Sequence, residues 1–362
     1  MIVYLSMMLL STLCAAIAAR LYRHACPNGA VPQKTRGVQR WEVFAFLAIL
    51  PFFLVAAVRF KVGTDYTVYL KPKSYIGSVF LDKPKRMEPF FRLCAEIAKL
   101  TDNKQVAFAL VALVFTVFTF LFVYEQSDDW VFSVPLILLT GTFSQSLNIM
   151  RQMTAVMICL YGIKYIEQRK LKQYVICVLC AAGFHAMAVL FLVFYFAYGR
   201  ELLNRFKPEK ILLFIVCCYV FATVGYQAVY ALLKMIGSIY VKYFGSKRDT
   251  GSSTVMQALN LLVMGGCLLL NKRKDPKMLL LLDYQFLVCI MLALNLPSSN
   301  RLAYLFMPVQ IVLLPNLVYQ FRDPILRRIL KIGLLTLYSA FWLYYFYHLN
   351  ISETFPYQTI FH

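Results

Sequence analysis

Charge is scarce in this chain of 362 residues, and acidic charge is the scarcer sign, with 17 Asp and Glu against 37 Lys and Arg. Only 15% of the residues are charged and 60% are hydrophobic, whereas soluble proteins have about 25% charged and 45–50% apolar residues. Because apolar runs of about 18 residues recur along the chain, a soluble fold is excluded. The sequence therefore predicts an all-α, polytopic integral membrane protein.

Motifs for nucleotides and metals are also missing. The chain has no GxGxxG, no P-loop lysine, no HExxH and no DxD cluster, so nucleotide-driven chemistry has no support. Most of the ten cysteines lie in apolar runs, where they act as small hydrophobes, and we expect no disulfide framework. Cys177 and Cys180 have the spacing of metal ligands but no acidic neighbours, so packing is the better explanation. We expect no cofactor and no metal.

The excess of basic residues gives the chain a formal net charge of +20. Such a charge suits the anionic surface of a bilayer, or a polyanionic substrate such as a phosphate-bearing lipid. Nucleic acid is the poorer explanation in a chain this hydrophobic. Membrane lipids are therefore expected partners, and nucleic acid is not.

Apolar stretches bounded by charge predict eleven membrane-spanning segments. They are 1–19, 41–58, 105–123, 130–147, 153–166, 174–198, 211–233, 254–270, 278–296, 302–318 and 329–349. The first could pass for a signal peptide, but no basic residues precede it, so we interpret it as a retained helix.

Basic residues in short loops stay on the cytoplasmic side and so orient the chain. Five of them at 20–40 place the first loop inside and the N-terminus outside. If 174–198 were one crossing, twelve basic residues of later loops would lie on the wrong side. A polar break at 183–185 suggests instead a helical break near His185, with a broken helix pair at 171–198. The prediction is therefore 11–12 transmembrane passages, eleven without the break and twelve with it. The twelve-passage topology has 21 basic residues inside and both termini outside.

This topology brings polar residues from distant segments to the outer face. They are Arg59, Asp65, Glu88, Arg92, Asn148, Arg151, Gln152, His185, Asn300 and Arg301. Polar groups at a membrane boundary are costly and usually line a cavity or site. We therefore expect an outward-facing active surface on a single transmembrane domain, 1–362, with outer-face loops at 59–104 and 234–253.

The loop 59–104 carries ten basic residues and begins with Arg59 directly after a span. A guanidinium there suits bidentate binding of phosphate oxygens. The alternative is a merely solvated loop, because long loops are translocated whatever their charge. Asp65 belongs to a turn and caps or orients Arg59. Glu88, before Pro89, is predicted at the start of an interfacial amphipathic helix.

Three further polar sites stand at the predicted outer boundary. Asn148, Arg151 and Gln152 form a short hinge, in which Asn148 and Arg151 are expected to share one helical turn. His185, with an unperturbed pKa of ~6.5, suits proton transfer, although it could equally satisfy backbone groups at a helix end. Arg301 suits either phosphate binding or interfacial anchoring.

At these residues the chain resembles the EpsG family of Wzy-type polysaccharide polymerases. The resemblance rests on Arg59 with Gly63-Thr64-Asp65-Tyr66, on Glu88-Pro89, on Asn148-Ile149-Met150-Arg151-Gln152, on Phe184-His185 and more weakly on Asn300-Arg301. It implies a GT-C-like architecture and metal-independent transfer of glycan chains from an undecaprenyl-diphosphate donor to a lipid-linked repeat unit. The implied location is the outer face of the bacterial cytoplasmic (inner) membrane.

The resemblance also implies products, partners and roles for the site residues. The products are exopolysaccharide, capsule or O-antigen, and the partners are the undecaprenyl-diphosphate-linked oligosaccharide, a chain-length regulator and a flippase. A diphosphate leaving group needs positive charge where negative charge grows. The expected substrate-binding residues are Arg59, Arg151, Arg301, Asn148 and Gln152. The candidates for the base that deprotonates the acceptor hydroxyl are His185, Asp65 and Glu88.

Two other functions remain open from the residues alone. A lipid-linked oligosaccharide transporter or flippase would use a similar basic cavity without chemistry, but would place charge midway through the bilayer. A membrane O-acyltransferase would need a catalytic histidine and an acyl donor, and His185 leaves that function open.

Overall fold

The structure is a computed structural model that describes residues 1–25, 38–83, 86–200, 206–235, 254–294 and 299–361. Within these ranges the chain is helical and contains no β-strand, which confirms the all-α fold class. Contacts between residues divide the chain into two compact units. The first is Met1–Tyr195 with Leu314–His362, and the second is Phe196–Leu313.

The helices follow one another along the chain without an intervening strand in the described ranges. They are α1 (Ile2–Ala25), α2 (Arg40–Leu47), α3 (Leu50–Ala57), α4 (Tyr66–Leu70), α5 (Tyr75–Phe80), α6 (Pro89–Leu100), α7 (Gln105–Gln126), α8 (Trp130–Leu139), α9 (Thr142–Ser146), α10 (Met150–Tyr161), α11 (Ile163–Glu167), α12 (Leu171–Ala182), a 3-10 helix (Ala186–Leu192), α13 (Val193–Ala197), α14 (Pro208–Met235), α15 (Thr254–Leu270), α16 (Pro276–Ala293), α17 (Ser299–Ala303), a 3-10 helix (Met307–Val309), α18 (Gln310–Tyr319), α19 (Pro324–Trp342) and a π-helix (Leu343–His348).

Five helical stretches of the described residues are long and apolar enough to cross a membrane. They are Ile2–Ala25, Arg40–Ala57, Gln105–Gln126, Pro276–Ala293 and Pro324–His348. Five shorter apolar helices, of 10–17 residues, accompany them. These stretches confirm a polytopic membrane protein.

The helical break near His185 is confirmed. Helix α12 ends at Ala182, and His185 is extended, with φ −156° and ψ 121°, before the 3-10 helix begins. The chain then runs back along α12, because the Tyr174 hydroxyl donates to the Phe191 carbonyl at 2.6 Å. The Tyr195 hydroxyl likewise donates to the carbonyl of Arg169 at 2.9 Å. The broken pair is therefore a hairpin that returns to the end from which it started.

Helix α7 defines the two ends of the first unit. Its 22 residues are about 33 Å long at ~1.5 Å per residue. At one end the Gln105 side-chain amide donates to the Arg59 carbonyl at 3.0 Å. At the other end Tyr124 packs against Trp130, with ring centroids 4.9 Å apart. We name these the site end and the basic end.

The basic end collects cations and an aromatic cluster. Lys331 is ion-paired with Asp129, and Lys164 with Glu125 at 2.9 Å. The rings of Tyr22, Trp41 and Trp130 lie within 5.1–6.4 Å of one another. Tryptophan and tyrosine are enriched at both interfaces between a membrane and water, so this cluster is typical of a membrane boundary.

The predicted span 130–147 is interrupted in the structure. The stretch 130–147 was expected as a single segment, but Gly141 adopts a left-handed φ of +82° and separates α8 from α9. Glycine adopts this conformation without the penalty that a side chain brings, and it commonly ends a helix. The expected loop 234–253 lies outside the described residues except for Lys234 and Met235, at the end of α14. The expected single transmembrane domain stays a prediction.

Candidate functional site

Arg59 lies just beyond α3 and is only 3% exposed. Its guanidinium donates to the Leu147 carbonyl, and its Nη2 lies 3.7 Å from the Sδ of Met150. The ring centroids of Phe108 and Tyr66 are 5.3 and 6.0 Å from its Cζ, so two aromatic faces help to stabilise the buried cation. Arg59 therefore joins the end of α3 to the turn before α10. Phosphate binding by Arg59 stays a prediction.

The turn that begins at Gly63 docks on the same segment. The Thr64 backbone amide donates to the Asn148 Oδ1 at 2.6 Å, and the Thr64 hydroxyl lies 3.1 Å from the same oxygen. Gly63 has φ +98°, and a Cβ there would lie 2.6 Å from the Leu147 carbonyl oxygen. Only glycine fits this close, left-handed approach. In the structure, the Asn148 side chain thus binds the turn that begins at Gly63.

Asp65 is half-buried and immediately precedes α4. Its carbonyl accepts a hydrogen bond from the Tyr69 amide at 3.1 Å. Helix α4 is fixed to α7 because the Tyr66 hydroxyl donates to the Gln105 Oε1 at 3.0 Å. The loop 59–104 thus carries a short helix, α4, whose tyrosine side chains are buried.

Arg151 and Glu88 form an ion pair at the starts of two helices. Glu88 is the residue before α6, whose first residue is Pro89, and Arg151 is the second residue of α10. The Arg151 Nη1 donates to the Glu88 carboxylate, and the two side chains are only 14% and 19% exposed. The Arg151 Cζ lies 4.1 Å from the ring centroid of Tyr75 and 5.4 Å from that of Phe91. The pair is therefore largely enclosed by aromatic rings.

Tyr69 completes this enclosure. Its hydroxyl accepts a hydrogen bond from Arg151, and its ring centroid lies 5.3 Å from that of Tyr75 and 5.7 Å from that of Phe91. Burial raises the pKa of Tyr69 to about 12, although the charge of Arg151 opposes the shift. The phenol therefore stays protonated at neutral pH and keeps Arg151 in place without adding charge.

The turn that carries His185 is docked on the start of α6. The amides of Phe90 and Phe91 both donate to the carbonyl of Gly183, at 2.8 and 3.2 Å. These first-turn amides have no partner within their own helix, so the Gly183 carbonyl satisfies them. The Phe184 ring packs edge-on against that of Phe90, with centroids 5.8 Å apart. Glu88, which precedes α6, and the turn that carries His185 are thus both held at the start of α6.

His185 is half-buried between α12 and the 3-10 helix, outside both. Burial lowers its pKa below the usual value, the charge of Arg151 lowers it further, and Glu88 opposes these two effects. The imidazole is therefore neutral at pH 7 and can accept a proton. The charges of the Arg151–Glu88 pair thus both influence the pKa of His185.

Asn148 and Gln152 differ from these three residues in their surroundings. Asn148 and Arg151 do not share a helical turn, because α10 begins only at Met150 and Asn148 lies in the turn before it. Gln152 is buried in α10, 8% exposed. Arg301 belongs to the second unit, where it lies exposed in α17. The roles predicted for these side chains in substrate binding stay predictions.

Tyr69 and Tyr75 were not among the site residues predicted from the sequence. The available signal was a tyrosine three residues after Tyr66, in a loop whose other residues are mostly polar. No motif distinguishes such an aromatic residue from ordinary core. Within the described ranges, no three His, Cys, Asp or Glu side chains gather where a metal ion could be held.

The sequence model of the EpsG family matches residues 42–359. The chain belongs to the EpsG family. This match confirms the resemblance found in the sequence and spans every candidate site residue from Arg59 to Arg301. No curated protein and no solved structure matches the chain. Membership of the EpsG family indicates a polysaccharide polymerase-like function, of glycosyltransferase type, in a multi-pass membrane protein.

Proposed function

We propose that this EpsG protein transfers glycan chains from an undecaprenyl-diphosphate donor to a lipid-linked repeat unit at the outer face of the bacterial cytoplasmic membrane. The observation that supports the proposal is the ion pair of Arg151 with Glu88 at the start of α6, on which the turn that carries His185 is docked through Gly183. A cation for the leaving group and a neutral base for the acceptor are the two groups that such a transfer requires.

Arg151 is the residue that we assign to the diphosphate. It lies in the first turn of α10, where the helix dipole also favours an anion. The aromatic rings around it exclude water, which strengthens its interaction with charge that develops on the leaving group. Before the donor binds, Glu88 neutralises Arg151, and a donor phosphate would replace that carboxylate.

His185 is the first choice for the base. The acceptor hydroxyl oxygen forms a bond to the anomeric carbon of the donor glycan, and the bond from that carbon to the diphosphate oxygen breaks. The electron pair leaves with undecaprenyl diphosphate, and the hydroxyl proton passes to a nitrogen of His185. Glu88 and Asp65 are the alternative bases.

The distribution of charge supports an outward-facing site. Lys164, Lys331 and the positively charged segments around them lie at the basic end, which the positive-inside rule assigns to the cytoplasm. A cysteine at Lys61, exposed at the site end, should then react with an impermeant thiol reagent in intact cells. A cysteine at Arg328, exposed at the start of α19, should stay protected in the same cysteine-free background. Labelling in the reverse order would contradict the proposed orientation.

Purified protein tests the activity itself. In detergent or vesicles supplied only with a lipid-linked repeat unit, we expect a ladder of longer glycans, unchanged when a chelator removes divalent metal. Movement of the donor across the vesicle membrane without a ladder would indicate a transporter instead. Transfer that needs an added acyl donor would indicate an O-acyltransferase.

A further inference from the structure

Residues 58–64, 145–149 and 352–360 are far apart in sequence but meet at the site end. The last of these segments is the C-terminal tail. We define the tail as residues 352–360. The Phe60 amide donates to the Gln358 carbonyl at 2.9 Å, and the Ile360 amide donates to the Val58 carbonyl at 3.0 Å. These two bonds flank an antiparallel bridge between Arg59 and Thr359. The tail therefore pairs with the backbone of the residue whose guanidinium is buried in the site.

The tail also contacts the Gly63 turn and Gln145 of α9, the helix that leads into the turn of Asn148. The Glu353 carbonyl accepts a hydrogen bond from the Gly63 amide at 2.9 Å. The neighbouring Ser352, 1% exposed, accepts one from the Gln145 side-chain amide at 3.1 Å. Two consecutive tail residues, Ser352 and Glu353, thus connect Gln145 to the Gly63 turn.

Buried contacts fix the tail itself in place. The Asn350 side chain exchanges hydrogen bonds with the backbone of Phe355, at 2.7 and 3.2 Å. The Tyr4 hydroxyl donates to the Thr354 carbonyl at 3.0 Å, and its ring packs edge-on against Phe355 and Tyr357 at 5.1 and 5.4 Å. The N-terminal helix therefore clamps the tail against the site end.

We propose that the C-terminal tail is a positioning element of the polymerase site and that it acts through the hydrogen bond of Ser352 with Gln145. Ser352 binds the side chain of Gln145. The backbone carbonyl of Gln145 accepts hydrogen bonds from the amides of Asn148 and Ile149. The turn that contains Asn148 and Ile149 leads directly into α10. The orientation of the first residues of α10, which include Arg151, therefore depends on the tail. This assignment rests on the proposed function.

Two variants of the membrane protein test the proposal. Ser352→Ala removes one hydrogen bond, and a chain that ends at Ile351 removes the tail. The matched controls are Ser11→Ala, a buried serine of α1 that donates to the Ala48 carbonyl at 2.6 Å, and a chain that ends at Ile360. The measurements are glycan elongation by purified protein, thermal unfolding, and hydrogen exchange of the peptides that contain Gly63 and Asn148.

We expect Ser352→Ala to lower the elongation rate by about threefold to tenfold, the equivalent of one hydrogen bond, and to raise exchange in both peptides. Ser11→Ala should give an equal or larger loss of thermal stability with normal elongation. The chain that ends at Ile351 should lose elongation, and the one that ends at Ile360 should keep it. Normal elongation and unchanged exchange in Ser352→Ala would overturn the proposal. Exchange is measured without substrate, so a wild type that makes no ladder would refute the proposed function alone.

Discussion

Arg151, in the first turn of α10, donates a hydrogen bond to the carboxylate of Glu88, the residue that precedes α6. Without this carboxylate, the positive dipole ends of α6 and α10 and the largely buried cation of Arg151 would lie close together with no negative charge between them. The carboxylate offsets all three, since an anion is stabilised at a helix N-terminus and beside a guanidinium. The same α6 start holds the His185 turn through Gly183, so one ion pair links every group of the proposed chemistry.

The pH dependence of elongation tests His185 as the base. Burial and Arg151 lower its pKa, so kcat/KM should fall only as pH drops below about 6.5, the unperturbed value. Glu88→Gln removes a charge that raises the pKa of His185, so its acidic limb should move to lower pH.

His185→Gln keeps hydrogen bonding but cannot accept the proton, and we expect it to lose about 10²–10⁴ in rate. Near-normal turnover of His185→Gln between pH 5.5 and 8.5, a range of about one to two units on either side of the imidazole pKa of ~6.5, would instead transfer the role of base to Asp65 or Glu88. The Asp65→Asn and Glu88→Gln variants would then separate those two.

Tyr69→Phe tests whether the enclosure orients Arg151. The change removes only the hydroxyl that Arg151 binds and keeps the ring contacts with Tyr75 and Phe91. Because hydrogen bonds to charged groups contribute about 1.5–3 kcal/mol, we expect kcat/KM to fall about 10- to 100-fold. Tyr124→Phe is the control, since its hydroxyl binds the Ala45 carbonyl at the basic end. Equal losses in both variants would show that Tyr69 only stabilises the fold.

Gly63→Ala tests the docking of the Gly63 turn. An alanine at φ +98° is strained by about 1–2 kcal/mol, and its Cβ would lie 2.6 Å from the Leu147 carbonyl oxygen. We expect a lower melting temperature and reduced elongation. Gly333→Ala is the control, because a Cβ at Gly333 meets no atom within 4 Å and alanine favours a helix by about 0.5–1 kcal/mol. A Gly63→Ala protein as stable and active as Gly333→Ala would contradict the docking.

Charge and hydropathy were enough to predict much of the fold. The break near His185 followed from the side on which basic residues must lie, a constraint that acts on the whole chain and needs no knowledge of packing. Where a helix begins within a polar hinge is set instead by local backbone geometry, so the pairing of Asn148 with Arg151 on one turn was wrong.

The contacts that build the site depend on pairs distant in sequence. Tyr69 meets Arg151 across 82 positions, and Ser352 meets Gln145 across 207. Nothing in a single sequence marks such partners, because tyrosine and serine occur equally in cores, loops and helix ends. The sequence indicated which polar residues belong to the site end, and the packing of α4, α6 and the tail determines which of them face each other.

Elongation by purified Arg151→Lys protein tests whether Arg151 serves glycosyl transfer at this site. Lysine keeps the charge but loses the planar fork that binds Glu88 and Tyr69 together. We expect wild type to make a ladder and to release undecaprenyl diphosphate with each bond formed, and Arg151→Lys to be slower by about 10²–10³. Arg92→Lys, which alters the exposed Arg92–Glu96 pair of α6, should elongate normally. An Arg151→Lys protein that elongates at the rate of Arg92→Lys would contradict the assignment of this site to glycosyl transfer.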